Sequence, residues 1–240
     1  MNNVAQSKIM LAINRQLTLL VLFALFSSIA LFELTPLDVT VQNFLYSAEL
    51  DVWLINSEQP LLRFLLYDGI RQLYIIVALG FILLASIQTK RPLLVAKRRE
   101  ILVICATLIA VPVVINVLKA VTNIPCPKDL ILFGGGYPHV TLFRSYPLDF
   151  IQAERIRCYP AGHASGGFAL MSLALLFASP RKRNVVALSA CGLGWVVGLY
   201  KMAIGDHFLS HTVVTMLIAM LIILLLDRFI RVGKDMPTPP

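Results

Sequence analysis

Hydrophobic and polar positions fall in long alternating blocks along this chain. Apolar blocks lie at about residues 17–34, 72–87, 101–118, 163–179, 185–200 and 207–226. Each approaches the roughly 20 mostly apolar residues that a helix needs to cross a bilayer, some being a little short. The pattern predicts six transmembrane helices. A further apolar stretch, 61–67, is too short to span and is flanked by Arg63 and Arg71. It predicts a helix lying at the membrane surface. The first block follows Lys8 and Arg15, as a signal peptide would, but it is long. Glu33-Leu34-Thr35-Pro36 is also a poor small-residue cleavage site, so this block is expected to be a retained span.

The polar intervals orient the spans. Lys8 and Arg15 precede the first span, and Lys90, Arg91, Lys97, Arg98 and Arg99 separate the second from the third. Arg181, Lys182 and Arg183 join the fourth to the fifth, and Arg228, Arg231 and Lys234 follow the sixth. With six spans all these cations share one side, which the positive-inside rule makes cytoplasmic, together with both termini. The opposite side receives the acidic interval 35–71, the long loop 119–162 and the turn at Gly205-Asp206.

Composition agrees. The chain is 58% hydrophobic and 14% charged, with a mean hydropathy of +0.79; a soluble domain is about 45–50% apolar and about 25% charged. The 240 residues are read as one all-α membrane domain with its core at about 17–226, in a plasma (bacterial inner) membrane. The net charge of +8 follows from the cytoplasmic loops, and no stretch resembles a nucleic-acid module. The spans are nearly free of charge, which argues against a transporter with ionisable groups at mid-membrane. The tail Pro237-Thr238-Pro239-Pro240 is expected to be disordered.

The loop 119–162 is longer than the about 12–15 residues beyond which a connection is usually functional or disordered. It holds Phe133, Tyr137, Phe143, Tyr146 and Phe150, too many aromatics for disorder, and also Lys128, Arg144, Arg155 and Arg157. An ordered lid at the bilayer surface is expected. Its Phe133-Gly134-Gly135-Gly136 run reads as a flexible turn rather than a phosphate cradle. Cys105 and Cys191 lie within apolar blocks and read as packing residues. Cys126 and Cys158 lie in the external loop, where a disulfide persists. The alternative is two free thiols; a zinc site is disfavoured because no C-x-x-C pair is present.

Three polar stretches fall on the same external side: 119–128, 157–163 and 201–211. The second, Arg157-Cys158-Tyr159-Pro160-Ala161-Gly162-His163, stands where an apolar run begins. Unpaired backbone N–H groups at a helix start hold an anion, and an adjacent His gives or takes a proton.

Lys119 with Cys126-Pro127, Pro160-Ala161-Gly162-His163, and Lys201 with His207 and His211 resemble the motifs of the type 2 phosphatidic acid phosphatase (PAP2) superfamily. That family carries a Lys six residues ahead of Arg-Pro, then Pro-Ser-Gly-His, then Ser-Arg, five residues, His, three residues and Asp. Order and spacing agree over roughly the second half of the chain, and the variant motifs are similar to those of a divergent membrane-bound bacterial branch. The resemblance implies a PAP2-type helical bundle and metal-free phosphoryl transfer with no cofactor. By resemblance His207 is the nucleophile. His163 protonates the leaving oxygen and then activates water. Lys119, Lys201 and the N–H of Gly162 hold phosphate oxygens. The chemistry is sound in itself, because phosphoryl transfer needs placed positive charge and an in-line nucleophile.

Four positions depart from the pattern. Cys126 replaces the family Arg, leaving Lys128, Arg144, Arg155 or Arg157 to supply a cation, with Arg157 nearest His163 in sequence. Ala161 replaces Ser and Lys201 replaces Arg, a point charge for a planar fork. His211 replaces the Asp that orients the nucleophile, on the same helical face as His207. Asp206 is adjacent to His207 but points off that face.

The expectation is therefore a phosphatase acting on a lipid phosphate or pyrophosphate among membrane lipids, with its site outside the cytoplasm. A lipid phosphotransferase using the same histidines and a non-catalytic lipid-binding member are the alternatives. The hydrophobicity rules out a soluble haloperoxidase.

Overall fold

The computed structural model describes residues 3–87 and 92–232, with side chains over 12–87 and 94–230. Lys90, Arg91, Lys234 and the tail 237–240 lie outside these residues, as do the side chains of Lys8 and Arg231. Most of the described residues are helical: α1 (Asn3–Leu34), α2 (Leu37–Asn43), α3 (Pro60–Arg63), α4 (Gly69–Ile87), α5 (Pro92–Ala96), α6 (Arg98–Thr122), α7 (Gly162–Ala169), α8 (Pro180–Ala203) and α9 (Leu209–Val232). A two-residue hairpin, β1 (Tyr46–Ser47) against β2 (Val52–Trp53), is the one sheet among the described residues.

Five helical stretches are long and apolar enough to cross a membrane: Ala12–Leu34, Pro60–Ile87, Arg98–Asp129, Pro180–Ala203 and Leu209–Ile230. The remaining expected span is shorter in residues. α7 passes into a 3₁₀ helix at Leu170–Leu176. At 1.5 Å per α-helical and about 2.0 Å per 3₁₀ residue, the pair reaches roughly 26 Å, close to the hydrocarbon thickness. A six-helix membrane bundle accounts for the fold.

The surface helix expected at 61–67 is not a separate element. Pro60 opens a helix that runs on to Ile87 through a π-helical segment, Phe64–Asp68. The π turn absorbs one extra residue without breaking the helix. It brings the Phe64 carbonyl so close to Gly69 that a Cβ there would lie 2.9 Å from the oxygen. The apparent gap in hydrophobicity at Asp68–Arg71 is a polar face on a continuous helix.

α6 runs through the middle of the bundle. Ile104, Leu108, Val111 and Ile115 on one side of it are buried against Ala164 and Phe168 of α7, Ala190 of α8 and Ala219 of α9. Small residues bring α7 and α8 together: a Cβ on Gly167 would lie 2.6 Å from the Gly194 Cα. Gly198 likewise admits Thr212 of α9. The outer faces carry exposed apolar side chains, among them Phe23, Phe26, Leu79, Leu83, Val117, Leu188 and Leu199. At one end Asp227 accepts from Asn14 Nδ2 (3.3 Å) and pairs with Arg99, tying α1, α6 and α9. The opposite end of α9, at Leu209, lies about 27 Å away, about eighteen residues at 1.5 Å each. There the C-terminal ends of α6 and α8 meet the N-terminal ends of α7 and α9.

Candidate active site

The loop 119–162 is ordered by Asn123, a left-handed residue that ends α6. Its side chain exchanges hydrogen bonds with Gln152 (2.8 and 2.9 Å) and accepts one from the Ile156 N–H (3.0 Å). Its carbonyl accepts from the Tyr146 hydroxyl (3.1 Å). The Tyr146 and Phe150 rings stack, and Tyr137 meets both edge-on. Gly134 adopts φ +82°, and the glycine run forms the turn between Leu130 and Tyr137. Cys126 and Cys158 are joined in a disulfide with Cα atoms 5.3 Å apart. This holds the end of α6 beside the approach to α7. Thr122 Oγ1 donates to the Tyr159 carbonyl (2.6 Å) and reinforces that placement.

α7 then starts at Gly162, with His163 in its first turn. The Ala161 N–H donates to the His211 carbonyl (3.1 Å), which fixes the start of α7 against α9. Lys119 comes from α6 and lies against the α7 start, where a Cβ on Gly162 would be 3.2 Å from its Nζ. Glycine leaves room for the amine at unpaired helix amides.

α8 ends in a tight reversal. Gly205 takes φ +78° beneath the Trp53 ring, and the Asp206 and His207 N–H groups both donate to the Lys201 carbonyl (2.8 and 3.2 Å). The reversal turns His207 inward, where it is 2% exposed. The first turn of α9 is capped from a distance, because the Ser210 N–H donates to Asp38 Oδ1 of α2 (2.9 Å).

The histidines meet at the centre. His207 Nε2 lies 3.2 Å from His163 Nδ1. On its other side His207 Nδ1 lies 3.4 Å from His211 Nδ1 and 3.5 Å from Cys158 Sγ. Burial, followed by the neighbouring His211, His163, Lys119 and Lys201, holds the His207 imidazole well below its ordinary pKa. It is therefore neutral and nucleophilic at pH 7. Cys158, His207 and His211 have the proximity of a metal-ligand group. The Cys158 sulfur is bound in the disulfide, however, and offers no thiolate.

The four cations divide into two kinds. Asp206 receives Lys128 Nζ on one oxygen (2.7 Å) and Lys201 Nζ on the other (2.8 Å). Burial raises its carboxyl, but the hydrogen bonds and charges of the two lysines outweigh this and leave it below the ordinary value. Lys201 also lies over the Tyr67 ring, 4.3 Å from its centroid, and Tyr67 meets His163 edge-on at 5.0 Å. Lys119 has no ion-pair partner among the described residues. Arg157 is exposed on the lid.

A cavity of about 330 Å³ opens beside His163. Arg71, Lys119, Gly162 and His163 line its polar part; Ile75, Pro112 and Val197 line its apolar part. Behind His211 a smaller cavity of about 40 Å³ is bounded by Glu33, Asp38, His139 and Tyr159.

The structure thus brings together Lys119, Gly162, His163, Lys201, His207 and His211, with Lys128 at the edge. Sequence reasoning missed Tyr67, Arg71 and Asp38. Tyr67, Arg71 and Tyr74 recur at helical spacing along one face, a signal hidden when 61–67 is cut from the helix that follows.

A model of the PAP2 superfamily matches residues 100–232. No curated protein and no solved structure matches the chain. The family match covers more than half of the chain and spans the helices that carry Lys119, His163, Lys201, His207 and His211; the chain belongs to the PAP2 superfamily.

Proposed function

We propose that this protein hydrolyses a lipid phosphate or pyrophosphate through a phosphohistidine intermediate on His207, at the extracytoplasmic membrane surface. Family membership supports a phosphatase at the coarse level. The observation that carries the finer reading is the contact of His163 Nδ1 with His207 Nε2 at 3.2 Å, beside a cavity with a cationic mouth and an apolar floor.

In the resting site the two rings share one proton between these nitrogens. A phosphate entering from the cavity displaces the His163 ring and takes its place in front of Nε2. As the dianion enters, His163 takes up a proton from water and becomes an imidazolium; the lone pair of Nε2 attacks phosphorus, the ester P–O bond breaks, and His163 delivers that proton to the departing oxygen. Water then attacks the phosphohistidine from the vacated side, His163 takes its proton, and phosphate leaves as His207 is restored. Lys119 and the amides of the α7 start stabilise the negative charge throughout. Residues 160–163 and 205–211 lie at the helix ends remote from Arg99 and Asp227, and the basic loops favour a cytoplasmic side at Arg99 and Asp227, which leaves the histidines outside. An external site where headgroups lie favours lipid substrates.

The test is phosphate release by the purified protein in detergent micelles from a panel of lipid phosphates, with a chelator present. Release that is lost in His207→Ala supports the reading. Release that survives in His207→Ala removes the assigned nucleophile, and label transferred to a second lipid instead of water would make the protein a phosphotransferase.

A further inference from the structure

Arg71 lies on α4, outside the region that matches the family, and no motif points to it. Three observations single it out. It lines the same cavity as Lys119, Gly162 and His163. It has no hydrogen-bond or ion-pair partner among the described residues, whereas Arg63, two turns earlier on the same continuous helix, pairs with Asp68 (3.5 Å). Finally, the other cations near the histidines are committed: Lys128 and Lys201 share Asp206, and that trio carries a net charge of one.

Among the described residues lining the cavity, Lys119 and Arg71 are therefore the two cations without an ion pair. Their charge matches the dianion of a phosphate monoester. The family arginine is absent because Cys126 is committed to the disulfide. The place of Arg71 on the helix serves the same end. Tyr67, Ile70, Arg71, Tyr74 and Ile75 follow the i, i+3, i+4, i+7, i+8 spacing of a single helix face, and all line the cavity. Tyr67 touches the His163 ring, and the Tyr74 ring packs on Gly166 while its hydroxyl bonds to the Leu108 carbonyl. This face is held at both ends against α6 and α7, so the guanidinium projects from a fixed part of the helix. Along α6 the cavity runs from Lys119 to Pro112, about 10 Å at 1.5 Å per residue. It passes from charged to apolar lining over that length.

We propose that Arg71 is the substrate-binding cation that replaces the missing family arginine. With Lys119 it grips the phosphate of a monoester whose hydrocarbon end lies along Ile75, Pro112 and Val197. The proposal rests on the phosphatase reading for the identity of the substrate, but not for the anion site itself. A guanidinium fork makes two parallel bonds to phosphate oxygens, which an amine does not.

The test uses the full-length protein in detergent, with orthovanadate binding as the probe and lipid phosphate turnover as the second readout. Arg71→Ala is expected to weaken vanadate binding by about tenfold or more and to raise KM by a similar factor, with Arg71→Lys intermediate. Arg63→Ala, the same charge change on the same helix, stays within about twofold of wild type on both. A short-chain soluble phosphate ester, run beside the lipid, separates the two parts of the cavity. Arg71→Ala penalises both substrates equally, whereas Pro112→Ala and Ile75→Ala penalise the lipid alone. Vanadate affinity within about twofold of wild type in Arg71→Ala overturns the proposal, as does wild-type protein that binds no vanadate. Arg71-dependent vanadate binding without any phosphate release leaves this anion site standing and removes the hydrolase reading. If Arg71→Ala does not fold, Arg71→Gln and Arg71→Lys carry the same comparison.

Discussion

His163 Nδ1 stands 3.2 Å from His207 Nε2, in the space that a phosphorus atom would occupy before the proposed attack. Near-attack separations are about 3–3.5 Å, so a phosphoryl group and the His163 ring exclude each other there. In the proposed mechanism the resting site is thus closed by His163, the group assigned as acid and base, and substrate opens it by displacing that ring. Since proton transfer by a placed side chain contributes about 10²–10⁴-fold, His163→Ala should lower kcat by that order. It should also release vanadate binding from competition with the ring, so that vanadate binds at least as tightly as in wild type. Weaker vanadate binding in His163→Ala would show that the ring holds the anion instead of yielding to it.

Asp206 is a clamp between two lysines. Asp206→Asn leaves Lys201, whose side chain is 9% exposed, without its partner. A loss of about 3 kcal/mol is expected, almost all from Lys201, because Lys128 is half-exposed and screened. The Asp206 carboxyl lies below its ordinary value of 3.8. Its stabilisation is therefore present above that pH and lost as pH falls below it. Melting curves of wild type and Asp206→Asn should be well separated at pH 7 and converge in acid; separation that is unchanged by pH would contradict the clamp.

The Cys126–Cys158 bond closes a loop of 32 residues of sequence separation. On the chain-entropy model it contributes about 3–4 kcal/mol. Because Cys158 Sγ touches the His207 ring at 3.5 Å, reduction should lower kcat as well as the melting temperature. The double substitution Cys126→Ser with Cys158→Ser should reproduce both effects. Loss of stability with kcat intact would assign the bond to the lid alone.

Burial raises the Asp38 carboxyl from 3.8 to about 6, against the opposing hydrogen bonds from Ser210. A raised carboxyl contributes its full stability below 3.8 and loses it as pH rises through about 6. Wild type should accordingly lose melting temperature relative to Asp38→Asn between pH 4 and pH 7. Parallel curves over that range would show that Asp38 is solvated.

The apolar blocks and the motif spacings were readable because both are local. Membrane helices satisfy their backbone within one segment, so hydrophobic length alone located α1, α6, α8 and α9. Lys119, His163 and His207 followed from short motifs at fixed offsets. What stayed hidden depends on contacts distant in sequence. The π turn at Phe64–Asp68 has no hydrophobicity signature, so Tyr67 and Arg71 looked like the edge of a surface helix. The 3₁₀ turn at Leu170–Leu176 lengthens a segment whose residue count is too small to span. Asp38 reaches Ser210 across 172 residues, a separation that no local pattern announces. Local spacing puts Asp206 off the histidine face, and its engagement with Lys128 and Lys201 appears only once the α8 end and the lid are brought together.

The central claim is that His207 carries the phosphoryl group. Its most direct test is a rapid quench of the protein with phosphate-labelled lipid, followed by mapping of the labelled peptide by mass spectrometry under alkaline conditions. The account predicts an acid-labile phosphate on His207, absent in His207→Ala. Label on any other residue, or steady phosphate release with no labelled histidine at any quench time, would contradict it.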